Sequence, residues 1–354
     1  MMGVRTKTRP AGSVVPSYDG SEAWRRIVGP VDGFIKAAVD RLELQIQQFE
    51  PEIKEYIGYA LKGQGKHLRP VLVALSGNAT RAVNDGHISA AVIVEMVHLA
   101  TLVHDDVMDE AQLRRARPTL AAQWGGHLAV LVGDCLFAHA LKLASQYPTP
   151  EVCRTVAGST NTVCSGEILQ DRNAGNLNLT PAEYFRVLRM KTGELFALSA
   201  ELGGILSDAP VHQREALRRY GMALGTAYQV YDDCLDLFGT EEEAGKTLGS
   251  DLAKGKVTLP LLLLMERSQG SELQELRACL ADWEPQDLPR LQQLLDQYQT
   301  FEGSAKVVKD LLDESRLALT ELPASPSRDS LHELTDFLAA QMTSLGDSPR
   351  ASAV

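Results

Sequence analysis

The sequence predicts an all-α protein, and three observations predict it. Apolar residues recur at helical spacing along most of the chain, as at Phe34, Ala37, Ala38, Leu42 and Ile46. Strand-like alternation is absent over any useful length. Aromatic residues make up only 6% of the chain, while alanine and leucine are abundant, a balance that favours helix over strand. The segment carrying Ile93, Val94, Val97, Ala100 and Thr101 is apolar on nearly every face, which marks a buried helix. Glycine and proline punctuate between helices at Gly77, at Gly125 and Gly126, and at Pro148 and Pro150.

With 354 residues, 44% of them hydrophobic, the chain can bury a large core. Residues 21–343 read as one helical domain between two tails. The first 20 residues contain Pro10, Gly12, Pro16 and Gly20 and no periodicity, and are expected to be disordered. Arg5, Lys7 and Arg9 fit a basic tail better than a transit peptide. Residues 344–354, rich in serine and alanine, are expected to fray. Glu241, Glu242 and Glu243 read as one loop, and Pro323, Pro326 and Ser327 as another.

A net charge of -11 excludes the basic footprint of a nucleic-acid binder. The five cysteines Cys135, Cys153, Cys164, Cys234 and Cys279 form no CxxC pair, so neither a disulfide framework nor a zinc site is expected. That usage fits a reducing, cytoplasmic location. No uninterrupted apolar run reaches the roughly 18 residues that span a bilayer, and no stable membrane insertion is expected.

The acidic residues are concentrated in two motifs. His104 is followed by Asp105, Asp106 and, three residues on, Asp109. On a helix Asp105 and Asp109 share a face, and two carboxylates so placed repel unless a cation lies between them. They are hard oxygen ligands suited to Mg²⁺, an ion usually held by one or two carboxylates together with substrate phosphates. An ordinary acidic helix end is the bland alternative. The apolar segment before the motif argues against it, because buried unpaired carboxylates are costly. Arg114 and Arg115 follow, and guanidinium forks bind phosphate oxygens. The second motif, Asp232, Asp233 and Asp236, repeats the geometry in the other half of the chain. Downstream of it lie Gly245-Lys246 and Asp251-Leu-Ala-Lys254-Gly255-Lys256, which again suggest phosphate contacts without forming a P-loop.

Other polar residues fit the same chemistry. Lys66 and Arg69 lie three apart at a helix start and can grip a second diphosphate. His98 sits two turns before Asp105 on a similar face; taken alone it is a core histidine. Lys191 and Thr192 interrupt an otherwise apolar helix running from Tyr184 to Leu202, and a buried lysine needs an anionic partner.

Taken together, these residues resemble the trans-isoprenyl diphosphate synthase family, the polyprenyl synthetases, over roughly residues 60–265. The matching motifs include Gly65-Lys66-His67-Leu68-Arg69-Pro70, His104 to Asp109, Arg114 to Thr119, Gly133-Asp134, Gly166-Glu167, Lys191-Thr192, Gln229 to Asp236 and Gly255 to Pro260. The resemblance implies an antiparallel helical bundle around a deep central cavity, usually a homodimer. It implies that Lys66, Arg69, His98 and Arg115 bind isopentenyl diphosphate. It assigns Arg114, Lys191, Thr192, Gln229, Lys246 and Lys256 to an allylic prenyl diphosphate, and the six aspartates to Mg²⁺, directly or through water. The implied reaction is ionisation of the allylic diphosphate, attack by the isopentenyl double bond, and proton loss to the departing diphosphate. Two positions depart from the family pattern: Ala116 replaces a glycine, and His67 stands where a basic residue is common.

Product length is read from the face of Asp105 upstream on the same helix: Thr101, Ala100, Val97 and Met96. In this family a bulky aromatic four or five residues before the first motif stops growth early. Here those positions are small, and the expected product is longer than farnesyl, with geranylgeranyl or farnesyl as the alternative. A terpene cyclase would not need Lys66, Arg69 and Arg115. A non-catalytic subunit of a heteromeric synthase would not need both acidic motifs.

Overall fold

The computed structural model describes residues 22–61, 65–114, 117–244 and 247–347. Arg115 and Lys246, residues 1–20 and the end of the expected C-terminal tail lie outside the described residues. In chain order the helices are α1 (Glu22–Val28), α2 (Asp32–Gln45), α3 (Lys54–Leu61), α4 (Leu68–Thr80), α5 (Asp85–Met108), α6 (Leu120–Trp124), α7 (Gly126–Ala144), α8 (Pro150–Arg172) and α9 (Pro181–Leu188). They continue with α10 (Glu194–Leu206), α11 (Val211–Phe238), α12 (Glu241–Ala244), α13 (Ser250–Ala253), α14 (Leu259–Arg267), α15 (Gly270–Ala281), α16 (Leu288–Gln297), α17 (Thr300–Leu319) and α18 (Pro326–Asp347). One small hairpin, β1 (Leu113–Arg114) and β2 (Arg117–Pro118), follows the first acidic motif.

Two cores share α4 and α10 as a common wall. Val71, Leu72 and Leu75 of α4, with Phe196 and Ala200 of α10, belong to the core built with α11 and α14 to α18. Val73 of α4, with Leu195, Leu198 and Leu202 of α10, belongs to the core built with α2, α5, α7 and α8. A helix buried on two sides must be apolar all round, and that is the pattern these segments carry.

Glycines set the closest approaches. Gly193 lies against Met222 and Thr226, Gly221 against Phe196 and Ala197, and Gly204 against Leu217, so α10 and α11 run antiparallel. Gly77 is not a break between helices. It lies inside α4, where a Cβ would come within 2.8 Å of His87.

Other expectations also need correction. Glu241, Glu242 and Glu243 form the short helix α12 rather than a loop. Pro326 and Ser327 open α18, where proline is tolerated because its missing N–H would have no helical partner. That helix runs on to Asp347, past the Ser344 expected to begin the tail. By length and composition α5 and α7 are apolar enough to cross a membrane, which the uninterrupted runs did not show. The most apolar stretch of α5 is 67% buried within the protein, as a core helix would be.

The α10–α11 contact yields a stability test. A Cβ at Gly221 would lie 2.5 Å from the Phe196 carbonyl oxygen and 2.7 Å from the Ala197 Cα. Gly221→Ala should therefore cost about 1–3 kcal/mol, the usual range for overpacking a core. Urea unfolding checks this, and an unchanged midpoint would contradict the packing.

Candidate active site

The acidic motifs occupy the ends of two long helices, and their neighbours come from five further segments. α5 begins at a capping box, in which the Asn84 side chain accepts from the Gly86 N–H and His87 Nδ1 from the Asn84 N–H. It ends twenty-four residues later at the first motif. α11 carries the second motif in its last two turns.

Each first-motif carboxylate meets a cation. Asp105 Oδ2 is 3.7 Å from Lys191 Nζ, and Lys191 donates a 2.6 Å hydrogen bond to Glu167 of α8. Asp106 accepts from Arg114 Nε at 2.8 Å. Asp109 accepts from Lys254 Nζ at 2.8 Å and lies 3.7 Å from Lys256 Nζ. Burial pulls the Asp109 carboxyl upward, but Lys254, Lys256 and Lys191 outweigh it and hold the group below the ordinary carboxylate value. At Asp106 burial wins over Arg114 and the carboxyl is raised. Burial also raises Glu167, with the charge of Asp105 adding to it. Lys191 is raised despite its burial, because Asp105 and Glu167 favour its charged form.

Backbone geometry presents Lys191. The segment from Tyr184 to Leu202 is not one regular helix: residues Arg189–Gly193 form a π-helical turn between α9 and α10. Such turns are rare and recur at functional sites. Here the turn packs on α8, where a Cβ at Gly166 would come within 2.9 Å of the Lys191 N. Thr192 donates to Gln229 Oε1 at 2.9 Å, and Gln229 donates to Asp233 at 2.9 Å, which links the turn to the second motif.

The second motif is used differently. Asp233 is buried and also accepts from Tyr184 Oη at 2.6 Å. Burial pushes its carboxyl up to about 8, with Asp251 and Asp232 adding to the rise and the Tyr184 and Gln229 hydrogen bonds opposing it. Asp236 is 1% exposed and accepts from Ser250 Oγ at 2.7 Å and from the Asp251 N–H at 3.1 Å. Its backbone carbonyl accepts from the Gly249 N–H. Asp236 therefore pins the loop that delivers Lys254 and Lys256 to Asp109. Asp232, half-buried, precedes them by one residue and one turn.

Lys66 and Arg69 flank the start of α4, and the Arg69 guanidinium lies 5.3 Å from the centroid of the Phe196 ring. His98 is half-buried on α5. Ala100, Val97 and Met96 are fully buried, and Thr101 donates to the His98 carbonyl. Glu167, Tyr184, Ser250 and Lys254 gain parts that sequence reasoning did not give them. Glu167 carried a signal in the Gly166-Glu167 pair, and Lys254 as a second lysine two residues before Lys256. Among the described residues no group of three or more His, Cys, Asp or Glu is placed to hold a metal by itself. The donors are carboxylate oxygens in small sets facing lysines, which fits an ion that also takes ligands from a phosphate.

Comparison with known proteins gives a concordant result. The polyprenyl synthetase family profile matches residues 50–298. The octaprenyl diphosphate synthase of Escherichia coli is 33% identical over 77% of this chain and 85% of its own. The nonaprenyl diphosphate synthase of Mycobacterium tuberculosis is 33% identical over 87% and 93%. A decaprenyl diphosphate synthase structure from Rhodobacter capsulatus superposes with a TM-score of 0.84 at 34% identity, covering 90% of this chain and 99% of that one. A polyprenyl synthase from Caulobacter crescentus, crystallised with calcium and isoprenyl diphosphate, gives 0.84 at 35% identity over 90% and 97%.

The buried acid generates a pH test. The folded-state value of Asp233 lies above its ordinary value, so its contribution is complete at low pH and is lost as pH rises through about 8. An asparagine at this position cannot ionise, and its amide can still meet both Gln229 and Tyr184. In metal-free protein, the stability of Asp233→Asn relative to wild type should rise with pH, by at most about 1.4 kcal/mol per pH unit, between the ordinary carboxylate range and pH 8. Urea midpoints across that range check it; a difference that does not change with pH would contradict a neutral Asp233.

Proposed function

The chain belongs to the polyprenyl synthetase family and is a polyprenyl diphosphate synthase, and on that premise we propose that it joins isopentenyl diphosphate to an allylic prenyl diphosphate with Mg²⁺, releasing diphosphate. The observation that carries the proposal is the facing of Asp105 and Asp109 by Lys191, Lys254 and Lys256, a site whose cations can turn to a phosphate when a metal takes the carboxylates. The Caulobacter relative, crystallised with calcium and isoprenyl diphosphate, supports a divalent ion beside a diphosphate.

In this reading Asp105, Asp109 and Asp232 hold Mg²⁺ directly, while Asp106, Asp233 and Asp236 act through the partners they bind. The bound ions supply Lewis-acid neutralisation of the leaving diphosphate. Lys191, Thr192, Gln229, Arg114 and Lys256 hold and orient that diphosphate, with Lys246 assigned by resemblance. Lys66, Arg69 and His98 grip isopentenyl diphosphate, with Arg115 again assigned by resemblance. The enclosed apolar face of α5 keeps water from the allylic cation. The proton lost after condensation goes to the departing diphosphate.

The product is longer than farnesyl. Ala100 and Val97 are small or medium side chains on the path upstream of Asp105, and the relatives named above make octaprenyl, nonaprenyl and decaprenyl diphosphates. A homodimer fits α7, where Val130 and Leu131 are 40% and 46% exposed. Cysteines that form no disulfide fit action in a reducing cytoplasm. A second reading, as one component of a two-component synthase, is favoured by the 33% identity to heptaprenyl diphosphate synthase component 2 of Bacillus subtilis.

Incubating the purified chain with Mg²⁺, an allylic starter and labelled isopentenyl diphosphate tests both readings. Elongation by the chain alone supports the first; elongation only with an added partner supports the second. Asp105→Ala and Asp232→Ala should each lower turnover at least about a hundredfold. Near-normal turnover in either would remove that residue from the metal site. Ala100→Phe should shorten the product to farnesyl or geranylgeranyl length while leaving the first condensation intact. An unchanged product length would show that the chain does not grow past Ala100.

A further inference from the structure

Glu95 is a carboxylate that the acidic site does not use. It is 5% exposed and lies on α5 between Val94 and Met96, both fully enclosed. A carboxylate in such surroundings needs a cation or a donor. What faces it is His67, whose Nδ1 lies 3.4 Å from Glu95 Oε1. His67 is the residue immediately before α4 and has a φ of +50°, a left-handed conformation in which histidine is enriched over branched side chains. His67 Nδ1 and Glu95 Oε2 are both buried without a hydrogen-bond partner, so the contact is close but not satisfied. On either side of His67 along the chain stand Lys66 and Arg69, and His98 lies one turn beyond Glu95 on α5.

We propose that Glu95 and His67 form a positioning pair for the isopentenyl diphosphate site; this rests on the assignment of Lys66 and Arg69 to that site. With Nδ1 turned to Glu95, the Nε2–H on the opposite edge of the ring points away from the carboxylate. Glu95 thereby fixes the ring's direction. The ring in turn fixes the left-handed turn that sets Lys66 against Arg69. The anion then meets a preset group of cations instead of ordering a loop as it binds, which removes part of the cost of binding. The pair acts on the affinity for one substrate, through two basic residues, and touches neither the metal nor the allylic diphosphate.

Steady-state kinetics of the full chain with Mg²⁺ and a fixed allylic starter tests the pair. Glu95→Gln and His67→Asn should each raise the KM for isopentenyl diphosphate about tenfold, the effect of one lost charged contact. Both should leave kcat and the allylic KM within about twofold of wild type. His67→Arg, which keeps an N–H donor against Glu95, should retain the wild-type value. His67→Asn carries the test even where Glu95→Gln disturbs folding, because asparagine tolerates the left-handed backbone and the position is only partly buried. Unchanged isopentenyl diphosphate KM in His67→Asn, or equal rises in both KM values, would overturn the pair while leaving the enzyme assignment standing. Wild-type turnover that does not depend on isopentenyl diphosphate would overturn the functional reading, and the pair with it.

Discussion

Gathering several carboxylates at one end of a helical bundle is the constraint on which the rest of this structure depends. Left unpaired, they would repel each other and resist burial. The fold answers with lysines brought from distant segments. Lys191 comes from a π-helical turn and stands between Asp105 and Glu167, while Lys254 and Lys256 come from a loop after α11 and stand at Asp109. Removing the π turn would withdraw the first cation. Releasing the loop would withdraw the other two.

The two acidic motifs therefore do unlike work in the folded chain. In the first, the carboxylates meet lysines whose side chains are largely shielded from solvent but reach it at one edge. In the second, Asp233 and Asp236 are buried against fixed donors, and Asp236 holds the very loop that serves Asp109. One motif is paired with lysines from distant segments, and the other holds its own surroundings in place. The Thr192–Gln229–Asp233 chain of hydrogen bonds joins the two.

Much of this was legible in the sequence. The helical class follows from apolar spacing, and the candidate site is proposed from aspartates four apart on a helix, because both signals are local. The division of labour between the motifs was not legible, because it depends on partners far away in the chain. Tyr184 is 49 residues from Asp233, and Lys254 is 145 from Asp109. Gly77 misled for the same reason: a glycine that lets His87 approach looks, in sequence, like one that breaks a helix. Lys191 was read as a buried cation needing an anion, and the structure sets Glu167 and Asp105 against it, but the π turn that presents it leaves no mark in the apolar pattern.

The central claim is that the carboxylates are neutralised by the protein's own lysines until a metal and a diphosphate arrive together. Calorimetric titration of Mg²⁺ into the protein, with and without a non-reactive allylic thiolodiphosphate, tests it most directly. The account predicts weak binding of Mg²⁺ alone and an affinity at least about tenfold higher with the thiolodiphosphate present, since the two ligands favour each other by linkage. Equal Mg²⁺ affinity in both titrations would contradict it.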